Sequence, residues 1–191
     1  MKKPDWIRGR VSFGKNSEKV KNILREHDLN TVCDEAACPN KGECWEDGHV
    51  TFMILGDVCT RNCLFCNISE GSIKEPEEDE GERIAMAVKD LGAKYVVITS
   101  VTRDDLDDKG SGYFTRAVKK LKSSSPDVLI ELLIPDFGGD EELLKNVVFS
   151  GTEVIGHNIE IPEVMYPAVR PGADYRKSLS VLRALSRMRE E

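Results

Sequence analysis

A chain of 191 residues, 40% hydrophobic and 32% charged, can bury one core and is too short for two full-sized domains, so one domain with an extension is expected. Its formal net charge of -7 argues against nucleic acid as the main partner, and its apolar runs fall far short of the ~20 residues that a membrane span needs. The start, MKKPDWIRGR, lacks the apolar segment of a secretory signal, and six cysteines confined to positions 33–66 suit metal ligation in a reducing cytoplasm better than a disulfide framework.

In chain order, residues 1–31 hold eight Lys or Arg against four Asp or Glu, a basic arm that is either solvated or a dock for an acidic protein. Residues 1–49 read as an N-terminal extension, and 50–191 as the core. VTFMILG (50–56) is a short apolar strand, followed by the cysteine loop GDVCTRNCLFC (56–66). In EPEEDEGERIAMAVKDLGA, Ile84, Ala87, Val88 and Leu91 share a helical face, acidic residues crowd the start, and Gly92 suits a C-cap. Strand and helix then alternate: a strand at 94–101, a helix near 112–122, a strand at 127–135, a helix at 140–149, a strand at 152–158 and a helix at 177–190.

That alternation predicts an α/β fold with a parallel sheet. Four units are too few to close a barrel, so an open or partial parallel (β/α) barrel is expected. Ligands in such folds collect at the carboxyl ends of the strands. The cysteine loop, TSVTRDD, PDFGG and HNIE all fall there.

Cys59-x3-Cys63-x2-Cys66 puts three thiols in one tight loop. Thiolate ligands select zinc, Cu(I) or iron-sulfur clusters, and a closed structural site asks for four ligands, so three leave a position open for chemistry. A zinc site would have to recruit a fourth ligand such as His49 or Cys44. With Phe65 just before the last cysteine and a β/α array behind it, the loop resembles that of the radical S-adenosylmethionine (SAM) superfamily. A second triplet upstream, Cys33-x4-Cys38-x5-Cys44, resembles the lipoyl synthase family in particular. So do PDWIRGR, TSVTRDDLDD, LLIPDFGGD and HNIEIPEVMYPAVRPGADYRKSL.

The resemblance implies that Cys59, Cys63 and Cys66 hold a 4Fe-4S cluster whose open iron chelates the amino and carboxylate groups of SAM. An electron from that cluster would cleave the sulfonium to methionine and a 5'-deoxyadenosyl radical. Cys33, Cys38 and Cys44 would hold an auxiliary 4Fe-4S cluster, the sulfur donor for C6 and C8 of an octanoyl chain. That chain rides on a lysine of a lipoyl carrier domain, in a 2-oxoacid dehydrogenase acyltransferase subunit or a glycine cleavage H protein, and ferredoxin or flavodoxin would supply electrons. Six cysteines in two triplets leave no seventh, so each cluster needs a non-cysteine ligand.

The resemblance also implies roles for other residues. Thr99 and Ser100 would meet the SAM amino group, Arg170 its carboxylate through a two-pronged contact, and Asn158 and Glu160 the ribose. Phe65 would pack on the adenine unless it is a core aromatic. Arg103, Asp104 and Asp105 would bridge cofactor and carrier, or else form a structural ion pair. Ile161 stands where the family pattern has threonine. His27, His49 and His157 belong to no constellation that marks a general base.

The family's C-terminal Arg-Ser-Ser motif is missing, and the nearest stretch, Lys-Ser-Ser-Ser at 122–125, reads as a surface turn. Family members continue for roughly another hundred residues and complete a six-stranded partial barrel. The sequence is therefore expected to be truncated or completed by another chain. Two other function classes remain: a different radical SAM sulfur inserter, such as a biotin-synthase-like enzyme or a methylthiotransferase, and a cluster or zinc protein that binds a carrier without catalysis.

Overall fold

The structure, a computed structural model, describes residues 14–68 and 71–190. The PDWIRGR stretch and the first part of the basic arm lie outside the described residues.

Four short strands, β1 (Thr51–Ile54), β2 (Tyr95–Ser100), β3 (Leu129–Leu133) and β4 (Val154–Gly156), pair in parallel in the order β1-β2-β3-β4. Each new strand joins beside its predecessor, as in a β/α barrel; a doubly wound sheet would reverse its order at a switch point. The sheet is open, as the partial barrel expected from four units requires.

Helices α4 (Glu80–Leu91), α5 (Ser111–Ser124), α6 (Glu141–Val148) and α8 (Tyr175–Glu190) carry the chain between or after these strands. The pairs Phe52↔Ile98 and Ile98↔Leu132 fix one face of the sheet, and these residues are buried in one cluster with Ile84, Val88, Phe114, Leu121, Leu144 and Val181 of the helices. Side chains alternate along a strand, so the opposite face carries Thr51 and Met53, then Val97 and Thr99, then Glu131 and Leu133. The helices form where the apolar period demands it, and α4 ends at Gly92, whose φ of 66° is the left-handed C-cap that glycine adopts without strain.

Three helices precede the sheet: α1 (Lys15–Glu26), α2 (Val32–Glu35) and α3 (Lys41–Glu46). Val20, Ile23 and Leu24 of α1 and Trp45 of α3 join the same hydrophobic cluster as the strands. Thr31 bridges antiparallel to Phe52, and the Met53 N–H donates to the Asn30 carbonyl at 3.0 Å, so this segment lies along the β1 edge. His27 contacts Asp90 of α4 at 2.8 Å.

Helix α7 (Tyr166–Val169) follows β4 and has no counterpart in the sequence reading. The stretch at 122–125, read as a surface turn, is instead the last turn of α5 and its C-cap. There the Ser123 and Ser124 hydroxyls donate to the carbonyls of Lys119 and Leu121, a local bond that helix ends satisfy readily. Among the described residues no helix is long and apolar enough to cross a membrane.

Candidate functional site

The cysteine loop leaves β1 through two residues of positive φ, Leu55 at 72° and Gly56 at 87°. Leu55 tolerates that conformation because its N–H is held at 2.8 Å by the buried carboxylate of Glu80, the first residue of α4. Burial pushes the Glu80 carboxyl up, opposed by the N–H groups of Leu55 and Gly56. From there the loop is sewn to the neighbouring strand ends. The N–H and hydroxyl of Thr60 both donate to the Thr102 carbonyl at 2.9 Å, and the Leu64 N–H donates to Val169 of α7 at 2.9 Å.

Cys59 Sγ accepts two backbone N–H groups, from Arg61 at 3.4 Å and Thr102 at 3.3 Å. A turn from Cys66 N–H to the Cys63 carbonyl, 2.9 Å, brings the third thiol back toward the second. Burial pushes the Cys63 thiol up, and the Arg170 guanidinium beside it pulls the other way. Arg170 is fixed from behind: one Nη donates to the Asn158 carbonyl at 3.0 Å, the Ile159 carbonyl at 3.3 Å and the Tyr166 hydroxyl at 3.0 Å. The Asn158 amide donates to Glu160 at 2.7 Å. The structure thus gathers Cys59, Cys63, Cys66, Arg170, Asn158 and Glu160 at the carboxyl end of the sheet.

Thr99 lies on the sheet face away from the helices, and its hydroxyl donates to the Leu133 carbonyl at 2.9 Å, which leaves its lone pairs able to accept. Ser100, one residue on, has the parity of Val96 and Ile98 on the helix side; its Oγ is buried with no partner among the described residues. The Phe65 ring is 49% exposed and not a core aromatic. Arg103 forks onto Asp105 at 2.7 to 2.9 Å, while Asp104 binds Arg61, so this trio forms structural ion pairs. Ile161 contributes only a local turn, its N–H donating to the Ile159 carbonyl at 2.8 Å.

The second triplet is also drawn together. Cys33 sits in α2 and is buried, Cys38 follows that helix, and Cys44 lies in α3. Burial, then the adjacent thiols of Cys33 and Cys38, push the Cys44 thiol up. The two cysteine groups are neighbours: the Asn67 amide, just past Cys66, donates to the Glu35 carbonyl of α2 at 2.9 Å. Among the described residues no three His, Cys, Asp or Glu side chains close on the position of a single ion. A 4Fe-4S cube does not ask for that, because each thiolate binds a different iron.

Sequence reasoning missed Arg61 and Asp136, which dominate the polar interior of the site. Arg61 is 8% exposed and binds Asp104 and Asp136 with all three of its side-chain nitrogens. The signal was present as an arginine between two cysteines and an aspartate at the end of β3, but nothing in the linear sequence pairs them. His157, which no constellation marked, sits buried at the end of β4 with Nδ1–H donating to the Ile134 carbonyl at 2.9 Å. Burial holds its pKa below the ordinary value.

A parallel β/α sheet of sequential strand order, with three thiols on the loop after its first strand, is the arrangement of one enzyme class. The chain belongs to the radical SAM superfamily, whose family model matches residues 53–189. A second model, the N-terminal domain of lipoyl synthase of the radical SAM family, matches residues 1–38. Among curated proteins the chain is 48% identical over 187 residues to a lipoyl synthase of Caldicellulosiruptor saccharolyticus, covering 98% of this chain and 66% of that one. It is 46% identical to a lipoyl synthase of Alkaliphilus metalliredigens, covering 100% and 66%, and 44% identical to one of Halorubrum lacusprofundi, covering 97% and 61%. The chain spans about two thirds or less of the length of these relatives. Among solved structures it resembles methylornithine synthase, with a TM-score of 0.54 and 15% identity over 90% of this chain and 52% of that one, a likeness of fold.

Membership of the superfamily implies a 4Fe-4S cluster and SAM as cosubstrate. The residues present fit that cluster. Three thiols stand on one loop, one of them already accepts two N–H bonds of the kind that cluster thiolates take, and a guanidinium beside Cys63 offsets negative charge.

Proposed function

We propose that this chain carries the cluster and SAM machinery of a lipoyl synthase, which inserts two sulfur atoms at C6 and C8 of a protein-bound octanoyl group. The observation that carries this reading is the pairing of two cysteine triplets, Cys59-Cys63-Cys66 on the first β/α loop and Cys33-Cys38-Cys44 on the helices beside it, joined through Asn67 and Glu35. A 4Fe-4S cluster held by Cys59, Cys63 and Cys66 would supply the electron that breaks the SAM sulfonium, and one held by Cys33, Cys38 and Cys44 would supply the sulfur.

The chain's own residues hold and orient. Arg170, locked by Asn158, Ile159 and Tyr166, keeps its remaining N–H groups for the carboxylate of SAM. The Thr99 hydroxyl, committed as donor to Leu133, accepts from the SAM amino group. Asn158 and Glu160 offer polar groups to the ribose, and the half-exposed Phe65 ring is free to stack on adenine. Ser100 points to the helix side by its place in the pleat, so its share in amino-group binding falls to its main chain. Octanoylated carrier domains are the partners this reading requires, with ferredoxin or flavodoxin as electron source.

Anaerobic reconstitution with iron and sulfide tests it. The expected result is ~8 Fe per chain, as two 4Fe-4S clusters, and release of 5'-deoxyadenosine from SAM. Cys63→Ala abolishes that release, whereas Cys38→Ala retains it and loses sulfur insertion. Stoichiometric zinc with no response to SAM overturns the proposal.

A further inference from the structure

We infer that Arg61 is a positioning residue: its double carboxylate clamp fixes the two backbone N–H bonds on Cys59 Sγ and so sets the reduction potential of the cluster held there. The inference rests on the cluster reading above and goes beyond it in assigning a residue that is no ligand.

Arg61 lies inside the three-residue spacer between Cys59 and Cys63, yet its side chain runs away from the thiols into the carboxyl end of the sheet. Nε and one Nη meet Asp104 at 2.7 and 2.9 Å, and both Nη groups meet Asp136 at 2.7 and 2.8 Å. A planar guanidinium gripped by two forks cannot rotate about its stem, and at 8% exposure the stem is packed too, so the movement left to the backbone that carries it is limited. The Asp136 carboxylate is only 1% exposed and is itself set by the Gly138 N–H at 2.9 Å. The anchor is therefore rigid on the β3 side.

The second N–H donor on Cys59 Sγ comes from Thr102, on the same loop as Asp104. The Asp104 N–H donates to Thr60 Oγ1 at 3.1 Å, and that hydroxyl donates to the Thr102 carbonyl at 2.9 Å. Lys109 holds the Asp104 carbonyl at 2.9 Å. One arginine thus controls both donors, its own amide directly and the Thr102 amide through Asp104. Hydrogen bonds to cluster sulfur stabilise the reduced, more negative state, so loosening them lowers the potential.

Charge and position are separable by substitution. Arg61→Lys keeps the positive charge but offers one point donor where two planar forks are needed; Arg61→Gln removes both. The reduction midpoint of the cluster whose EPR signal shifts on adding SAM, titrated with dithionite in the reconstituted chain, is expected to fall in Arg61→Lys and to fall further in Arg61→Gln. Circular dichroism confirms the fold of each variant, and folded variants are expected to lose iron faster than the wild type. A folded Arg61→Lys with wild-type midpoint and iron retention overturns the inference, since a merely structural ion pair would change only the melting temperature. The wild type gives a check that no variant's folding can spoil: labelled with arginine carrying 15N at the backbone nitrogen alone and reduced, it is expected to show an amide nitrogen coupled to the SAM-responsive cluster by pulsed EPR, and absence of that coupling also overturns the proposal. Failure of the wild type to load a cluster at all is the separate failure of the functional reading.

Discussion

Asp136 shows what one buried carboxylate is asked to do. Burial pushes its carboxyl up, but the Arg61 fork and the Gly138 N–H outweigh that and hold it below the ordinary aspartate range. A group with a depressed folded-state pKa contributes stability above its unfolded value, near 3.9, and loses it as acid titrates the folded carboxyl. Stability against unfolding, measured across pH, is therefore expected to fall below about pH 4, with a shallower fall in Asp136→Asn. Asp136→Ala strands a guanidinium that is 8% exposed, and the cost is about 3 kcal/mol, the low end for a broken buried pair because Asp104 remains. Urea unfolding at neutral pH checks it. At this scale the cysteines and Arg170 were legible in the sequence, because spacing and motif mark them. The Arg61 partners were not, since Asp104 and Asp136 come from loops that only folding brings beside it.

Between elements, α4 and α5 come close where Gly81 meets Ala117. A Cβ on Gly81 would stand 2.9 Å from the Ala117 Cα and 3.2 Å from its nitrogen, and both are backbone atoms that cannot swing away. Alanine in place of a helical glycine normally gains about 1 kcal/mol. Here the overlap reverses the sign, and Gly81→Ala is expected to lose about 1–3 kcal/mol in thermal or urea unfolding. The long helices α4, α5, α6 and α8 were readable because each carries a sustained apolar period. Helices α2 and α3, of four and six residues, were not. Helices that short have too few internal bonds to form alone and depend on packing. Segment α1, with Val20, Ile23 and Leu24 at helical spacing, was expected only as part of a basic arm, yet those residues carry it into the core.

Across the whole molecule, burial decides what a leucine of the sheet contributes. Leu132 is fully buried against the helices, whereas Leu129 in the same strand is 48% exposed. Leu132→Ala is expected to cost about 2–5 kcal/mol, and Leu129→Ala no more than about 0.5 kcal/mol; parallel denaturant curves of the two variants decide. Leu129 shares its face with Thr99 and Met53, which are themselves buried, so its exposure comes from its place at the start of the strand. What the sequence determined by itself was the repeating unit, the parallel sheet and both sets of thiols, because hydrophobic period and ligand spacing are local properties of a chain. Which polar groups meet was decided only by the tertiary structure: four loops from separate strands converge at one end of the sheet, and there Arg61 finds Asp104 and Asp136, Arg170 finds Cys63, and the two cysteine groups find each other.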